Sequence, residues 1–138
     1  AHLDIEYIEG SIEQVGARTF DVVLNMEVIE HVEDLEGFMR LCSQAVAPGG
    51  LEIVATLNRN LKSFLFAIIG AEYVLRWLPR GTHDWRKFVT PSELSVLLRK
   101  SNLEPLNSAG VSVNPLTRAY RVVEDLSVNY MIVAARHD

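Results

Sequence analysis

A single cysteine, Cys42, stands among the 138 residues. No intrachain disulfide can form, so a reducing compartment is the natural expectation. Set among apolar residues of a predicted helix, Cys42 reads as a small core residue rather than a nucleophile. Cations are scarce too: 13 Lys and Arg face 18 Asp and Glu, for a net charge of −5. Nucleic acid is therefore not an expected partner, because a nucleic-acid binder normally carries a basic face. The eight glycines include no G-x-G cluster, the turn that brings backbone close to a dinucleotide phosphate. There is no repeat, linker or low-complexity stretch, and no signal peptide or lipidation motif is visible. No uninterrupted apolar run reaches the roughly 20 residues that a membrane-spanning helix takes.

What remains is ordinary globular material: 49% hydrophobic and 22% charged residues, enough for one domain with one core. Its organising stretch is Phe20–Val32, FDVVLNMEVIEHV. The first half is a short apolar run of the kind buried on both faces of a parallel sheet. The second half turns acidic where the strand should end, which is where open α/β sheets bind ligands.

Ahead of it, Ile5–Ile8 alternates as a short strand ended by Gly10-Ser11, and Ile12–Val15 predicts a helical turn. Behind it, Asp34 is a helix N-cap, and Leu35, Phe38, Met39, Cys42 and Val46 recur at helical spacing. Pro48-Gly49-Gly50 should turn the chain into a strand over Leu51–Leu57, with Glu52 near its start and open to solvent. Leu61–Leu78 is mostly apolar, with Lys62, Glu72 and Arg76 on a narrow polar face. It reads either as a helix buried under a loop or a dimer partner, or as an interfacial segment that dips into a membrane. Thr90-Pro91-Ser92-Glu93 predicts a helix start, with Asn102 closing that helix in a left-handed conformation. Strands are expected over Leu103–Val113 and Leu126–Ala135.

If the chain turns helical after Met26, Glu27, Glu30 and His31 share one face, because residues three and four apart are neighbours. Two carboxylates and an imidazole can hold a hard cation such as Mg²⁺. Alternatively His31 acts as general base, oriented by Glu30 or Glu27. His83, Asp84 and Lys87, and likewise Asn114 and Arg118, give weaker signals in loops.

The order of the motifs carries a resemblance. FDVV, then E-x-x-E-H-V, a helix and Pro48-Gly49-Gly50 resemble the fourth strand and following segment of class I S-adenosylmethionine-dependent methyltransferases. TLNRN (Thr56–Asn60), GAEYVLR (Gly70–Arg76), GTHDW-x-KF (Gly81–Phe88), NPLTR (Asn114–Arg118) and VNY (Val128–Tyr130) narrow it to the ubiquinone-biosynthesis O-methyltransferases. The resemblance implies an α/β fold: the C-terminal portion of a Rossmann-like domain, its sheet mostly parallel, its last strand antiparallel beside the fifth. Without the glycine-rich turn, residues 1–138 are expected to be one truncated domain with a hydrophobic insertion at about 60–88.

The same resemblance implies S-adenosylmethionine as cofactor, touching Met26 and Asn25 at the strand end and Ser11 and Ile12 beside the adenine. It implies methylation of a phenolic hydroxyl on a polyprenylated phenol or quinol in ubiquinone biosynthesis. A phenol ionises near pH 10, so a base or metal must assist its attack, and His31 and Glu30 are the catalytic candidates, with Glu27, Glu30 and His31 the metal set. Leu61–Leu78 then becomes the membrane contact, and other ubiquinone-biosynthesis proteins are conceivable partners. The expected location is the cytoplasmic face of a bacterial inner membrane, or the mitochondrial matrix side. The alternatives are another small-molecule class I methyltransferase, or a non-catalytic fragment that packs against a partner or membrane.

Overall fold

A computed structural model describes residues 3–60, 63, 87–114, 117 and 119–137. Five strands form one sheet: β1 (Phe20–Met26), β2 (Val46–Leu57), β3 (Leu103–Val113), β4 (Tyr120–Val123) and β5 (Asn129–Arg136). Their spatial order is β1-β2-β5-β3-β4. β1 and β2 pair in parallel, while β5 runs antiparallel between β2 and β3. The antiparallel last strand beside β2 is as expected. β3 thus points the same way as β1 and β2, and β4 folds back on it as a hairpin that periodicity did not reveal.

Helices α1 (Leu35–Ala45) and α2 (Pro91–Lys100) cover one face of this sheet. Met39, Leu94 and Leu98 reach down to Val54, Leu103 and Ile132, all buried. The period-2 alternation of β5, which buries Tyr130, Ile132 and Ala134, fixes which residues meet the helices. The opposite face is bare along β1, where Phe20, Val22, Leu24 and Met26 are all more than 40% exposed. β1 was expected to be covered on both faces, but on the second only the Arg18 guanidinium, 5.8 Å from the centre of the Phe20 ring, is recorded against this row among the described residues.

Three of the four helix ends are held as the sequence predicts. The Asp34 carboxylate accepts from the Gly37 amide at 3.0 Å. Thr90 and Glu93 form a reciprocal capping box, the Glu93 amide donating to Thr90 Oγ1 at 3.3 Å and the Thr90 amide to Glu93 Oε2 at 2.9 Å. Asn102, at φ 63°, closes α2 in the left-handed region. At the other helix's C-terminus the Arg136 guanidinium donates to the carbonyls of Ser43, Gln44 and Val46 at 3.1, 3.2 and 2.6 Å. A cation there meets orphan carbonyls and the negative end of the helix dipole. Thr90→Ala is expected to remove about 1 kcal/mol of stability. Thermal unfolding should show the midpoint falling by roughly 2–6 °C, and an unchanged midpoint would mean that the box does not hold the helix.

Four expectations change. Ile5–Ile8 forms no strand and lies exposed, because a strand needs a neighbour and none of the described strands pairs with it. Pro48-Gly49-Gly50 is not a turn ahead of the strand but an irregularity within it: Phe20 pairs with Val46, and Val22 already pairs with Leu51. The chain passes so close there that a Cβ on Gly50 would sit 2.9 Å from the Asp21 carbonyl oxygen. Glu52 is therefore mid-strand, facing the helices with Val54 and Thr56, and is fully buried rather than open to solvent. The helix expected after Met26 is replaced by a kinked turn, described below. Most of the apolar segment 61–78 lies outside the described residues. Among the described residues no helix is long and apolar enough to cross a membrane.

Candidate functional site

β1 ends on one last ladder bond, from the Glu27 amide to the Ala55 carbonyl at 2.8 Å. Glu27 then adopts φ 55°, a left-handed conformation that side chains other than glycine rarely take. Such strain clusters at functional sites. It also prevents a continuous helix, and only a short 3₁₀ turn follows, Ile29–His31. The shared face predicted for Glu27, Glu30 and His31 is therefore not formed. Ile29 and Glu30 point inward, while His31 is exposed.

Glu30, only 2% exposed, accepts from the Thr56 hydroxyl at 2.7 Å through Oε2, and its Oε1 is buried without a hydrogen bond. Thr56 stands opposite Tyr130 across the β2–β5 ladder, and the Tyr130 hydroxyl donates to the Val89 carbonyl at 2.8 Å. Burial pushes the Tyr130 phenol well above its usual range. Glu27 is exposed as a residue, but partial desolvation of its carboxyl and then the charge of Glu30 beside it push its pKa up to about 7. A carboxyl with that value is partly ionised at neutral pH and exchanges protons there. Thr56 thus sets the Glu30 carboxylate, and Glu30 in turn sets Glu27.

Beside this turn a cleft of about 800 Å³ opens between the start of α1 and α2. Ile29, Phe88 and Val89 are its buried residues, whereas its charges, Glu33, Arg59, Lys87 and Glu93, are exposed or half-exposed. Arg59 pairs with Glu93. The Thr90 backbone N–H holds the Glu93 carboxyl below its ordinary value, with the Arg59 charge adding to it. Lys87 lines the cleft, whereas His83, Asp84 and Arg118 lie outside the described residues, and Asn114 caps a turn, accepting from the Thr117 amide at 3.1 Å.

The residues expected to meet the cofactor fall into two groups. Met26 and Ser11 are exposed, and Ile12 is half-buried in a 3₁₀ turn, Ile12–Val15, that packs on α1. The Ser11 hydroxyl turns to Glu13 and lowers that carboxyl's pKa. Asn25 is different, since its side chain is buried beneath α1, with Nδ2 4.0 Å from Met39 Sδ and 3.9 Å from Cys42 Sγ. Only its backbone is left for the ligand edge. Nor is there a metal site where one was expected. Among the described residues no three His, Cys, Asp or Glu side chains come together to hold an ion. With Glu30 turned inward to Thr56 and His31 outward, the ligand set for Mg²⁺ does not fit.

Residues 5–108 match a family model described as a methyltransferase domain. The chain belongs to the methyltransferase family. It is 51% identical over 136 residues to a protein of Methylocella silvestris named ubiquinone biosynthesis O-methyltransferase, an alignment that covers 97% of this chain and 53% of that one. A Rhodopseudomonas palustris protein of the same name is 53% identical over 135 residues, again covering 97% and 53%. The chain spans about half the length of these curated relatives. Among solved structures it is similar to a SAM-dependent methyltransferase of Thermotoga maritima, described as a possible histamine N-methyltransferase. That match has a TM-score of 0.69 and 20% identity, over 92% of this chain and 62% of that one. The magnesium protoporphyrin IX methyltransferase of Synechocystis, solved with bound SAH, gives 0.59 and 13%, over 92% and 49%. Both share the fold, and the subfamily suggested by the ordered motifs is the one whose name the sequence relatives carry.

Within this methyltransferase domain the motifs behind the resemblance supply residues that chemical spacing alone had missed. TLNRN contributes Thr56, which holds Glu30. It also contributes Asn58 and Asn60, whose Nδ2 atoms donate to the Leu126 and Ser127 carbonyls at 2.9 and 2.6 Å. VNY contributes Tyr130 and also Asn129, whose Oδ1 accepts from the Val111 amide at 2.8 Å. Their signal was present as motif, and the expected pairing of the last strand with the fifth brings the two segments together, but the individual hydrogen bonds were not legible.

Proposed function

We propose that this chain forms the acceptor side of a methyltransferase that moves a methyl group from S-adenosylmethionine to a phenolic oxygen of a polyprenylated phenol. The observation that carries the reading is the Glu27–Glu30–Thr56 arrangement at the carboxyl end of β1. The relatives' name, ubiquinone biosynthesis O-methyltransferase, supports methyl transfer to oxygen, and the titles of the structural neighbours support the cofactor. When bound, S-adenosylmethionine supplies a methyl group made electrophilic by its sulfonium. This chain's part is to remove the phenol proton. Glu27 is the acceptor, because it stands at the exposed strand end, and Glu30, buried behind it, raises its proton affinity. His31, exposed on the same turn, is a second route for the proton. Ser11, Ile12 and Met26 contact the cofactor, with Asn25 contributing backbone. The tail of such a substrate places the enzyme at the surface of a membrane.

The test grafts residues 1–138 in place of the corresponding half of the Methylocella silvestris relative, which 51% identity makes feasible. Methyl transfer from labelled S-adenosylmethionine to a catechol with a short prenyl tail is expected. A folded graft that methylates no catechol would overturn the reading.

A further inference from the structure

The cleft beside the carboxylate turn has no role so far. Its wall is Ile29, Val32, Leu35, Val89, Val96 and Leu97, drawn from the turn after β1, the start of α1, the lead into α2 and the exposed flank of α2. About 800 Å³ lies inside the size range of small-ligand pockets, in an open cleft. Its charged residues do not ask for a charged ligand, since Arg59 is already paired with Glu93 and the two remaining charges, Glu33 and Lys87, are of opposite sign. Burial of hydrocarbon is what this wall rewards, at about 0.8 kcal/mol per methylene.

One end of the cleft lies next to the chemistry in the chain: Ile29, part of its wall, is bonded directly to Glu30, which itself does not line the cleft. The bare row on β1 is the other apolar surface, but it is an open strand face with no enclosing wall, and Phe20, Val22, Leu24 and Met26 are all exposed on it. Resting on the reading above, we infer that this cleft takes the hydrocarbon tail of the acceptor. The ring then stands at the Glu27–Glu30 turn, and the tail runs between α1 and α2 past Val96 and Leu97. The cleft would set tail preference, and the carboxylates would set the chemistry.

Methyl NMR of the chain itself tests this, with 3-methylcatechol and 3-geranylcatechol as probes. The geranyl compound is expected to bind at least tenfold more tightly, shifting the methyl signals of Ile29, Val96 and Leu97. Val96 is 53% exposed, so Val96→Glu can fold while placing a charge in the tail's path, and it should erase the tenfold gain. Val122→Glu, at a site 68% exposed on β4 away from the cleft, should leave the gain intact. Equal binding of the two probes, a gain that survives Val96→Glu, or shifts confined to Val22 and Leu24 would each overturn the assignment. These outcomes are separable from those of the graft: tail binding without methyl transfer would retire the methyltransferase reading, and methyl transfer without a tail gain would retire the cleft.

Discussion

Glu52→Gln is expected to stabilise the chain at pH 8 by about 3 kcal/mol and to flatten its stability between about pH 4.5 and 7. Glu52 is fully buried among the residues that face α1, and both its carboxyl oxygens are shut off from water. Burial pushes its pKa from the ordinary 4.5 up to about 7, with the Asn25 side chain opposing the rise. The sign follows from which state holds the proton. Between those two values the folded chain keeps the proton and the unfolded chain has released it. The favourable share is thus fully present below the unfolded value and is lost as pH rises through the folded one. Glu52→Gln keeps the size of the side chain and removes its titration. Glu27, also raised to about 7, titrates in the same window, so some slope should survive the substitution. Denaturant unfolding at pH 5 and pH 8 measures both, and an unchanged difference between the two would show that Glu52 is ionised in the folded chain.

The second large effect concerns turnover. In the grafted enzyme, Glu27→Gln is expected to lower kcat by about 10²–10⁴-fold, the usual worth of a positioned proton acceptor. Gln matches Glu in size and carries the same left-handed strain, so folding and S-adenosylmethionine affinity should hold. Glu30→Gln should act differently. It removes the neighbouring negative charge that helps raise Glu27, so the acidic limb of the kcat profile should move to lower pH while turnover on the plateau falls less. Thr56→Val leaves a buried carboxylate oxygen without its donor, a loss of about 1–3 kcal/mol of stability. Should His31→Ala cost more turnover than Glu27→Gln, the proton leaves by the imidazole and the carboxylates serve only to orient.

Much of this fold could be read from local signals. Asp34, the Thr90–Glu93 box and Asn102 mark helix ends by chemistry that acts within four residues, and each occurs where its spacing placed it. Signals that depend on distant chain were harder to read. Ile5–Ile8 has the pattern of a strand but no strand to pair with among the described residues, and the exposed face of β1 has the composition of a covered one. The site divides along the same line. Glu27, Glu30 and His31 were visible because acids and an imidazole follow an apolar run. Their orientations were not, because one left-handed residue at Glu27 reverses what a helical wheel predicts. Thr56 is 26 residues from Glu30, and nothing in either segment announces their hydrogen bond. The three-ligand face expected for Mg²⁺ is not formed for the same reason, since spacing can propose a shared face but only the backbone decides it.

The place of β5 bears on how this domain comes into being on the ribosome. It is the latest of the described strands in sequence, yet it lies between β2 and β3. Until it has been synthesised, two strand edges stay open at what will become the middle of the sheet, and Tyr130 cannot yet close over Thr56. Contacts of such long range slow folding, and unpaired edges invite association with other chains. The nascent chain is therefore expected to need shelter until residue 136, whose guanidinium reaches back to the end of α1, has left the exit tunnel.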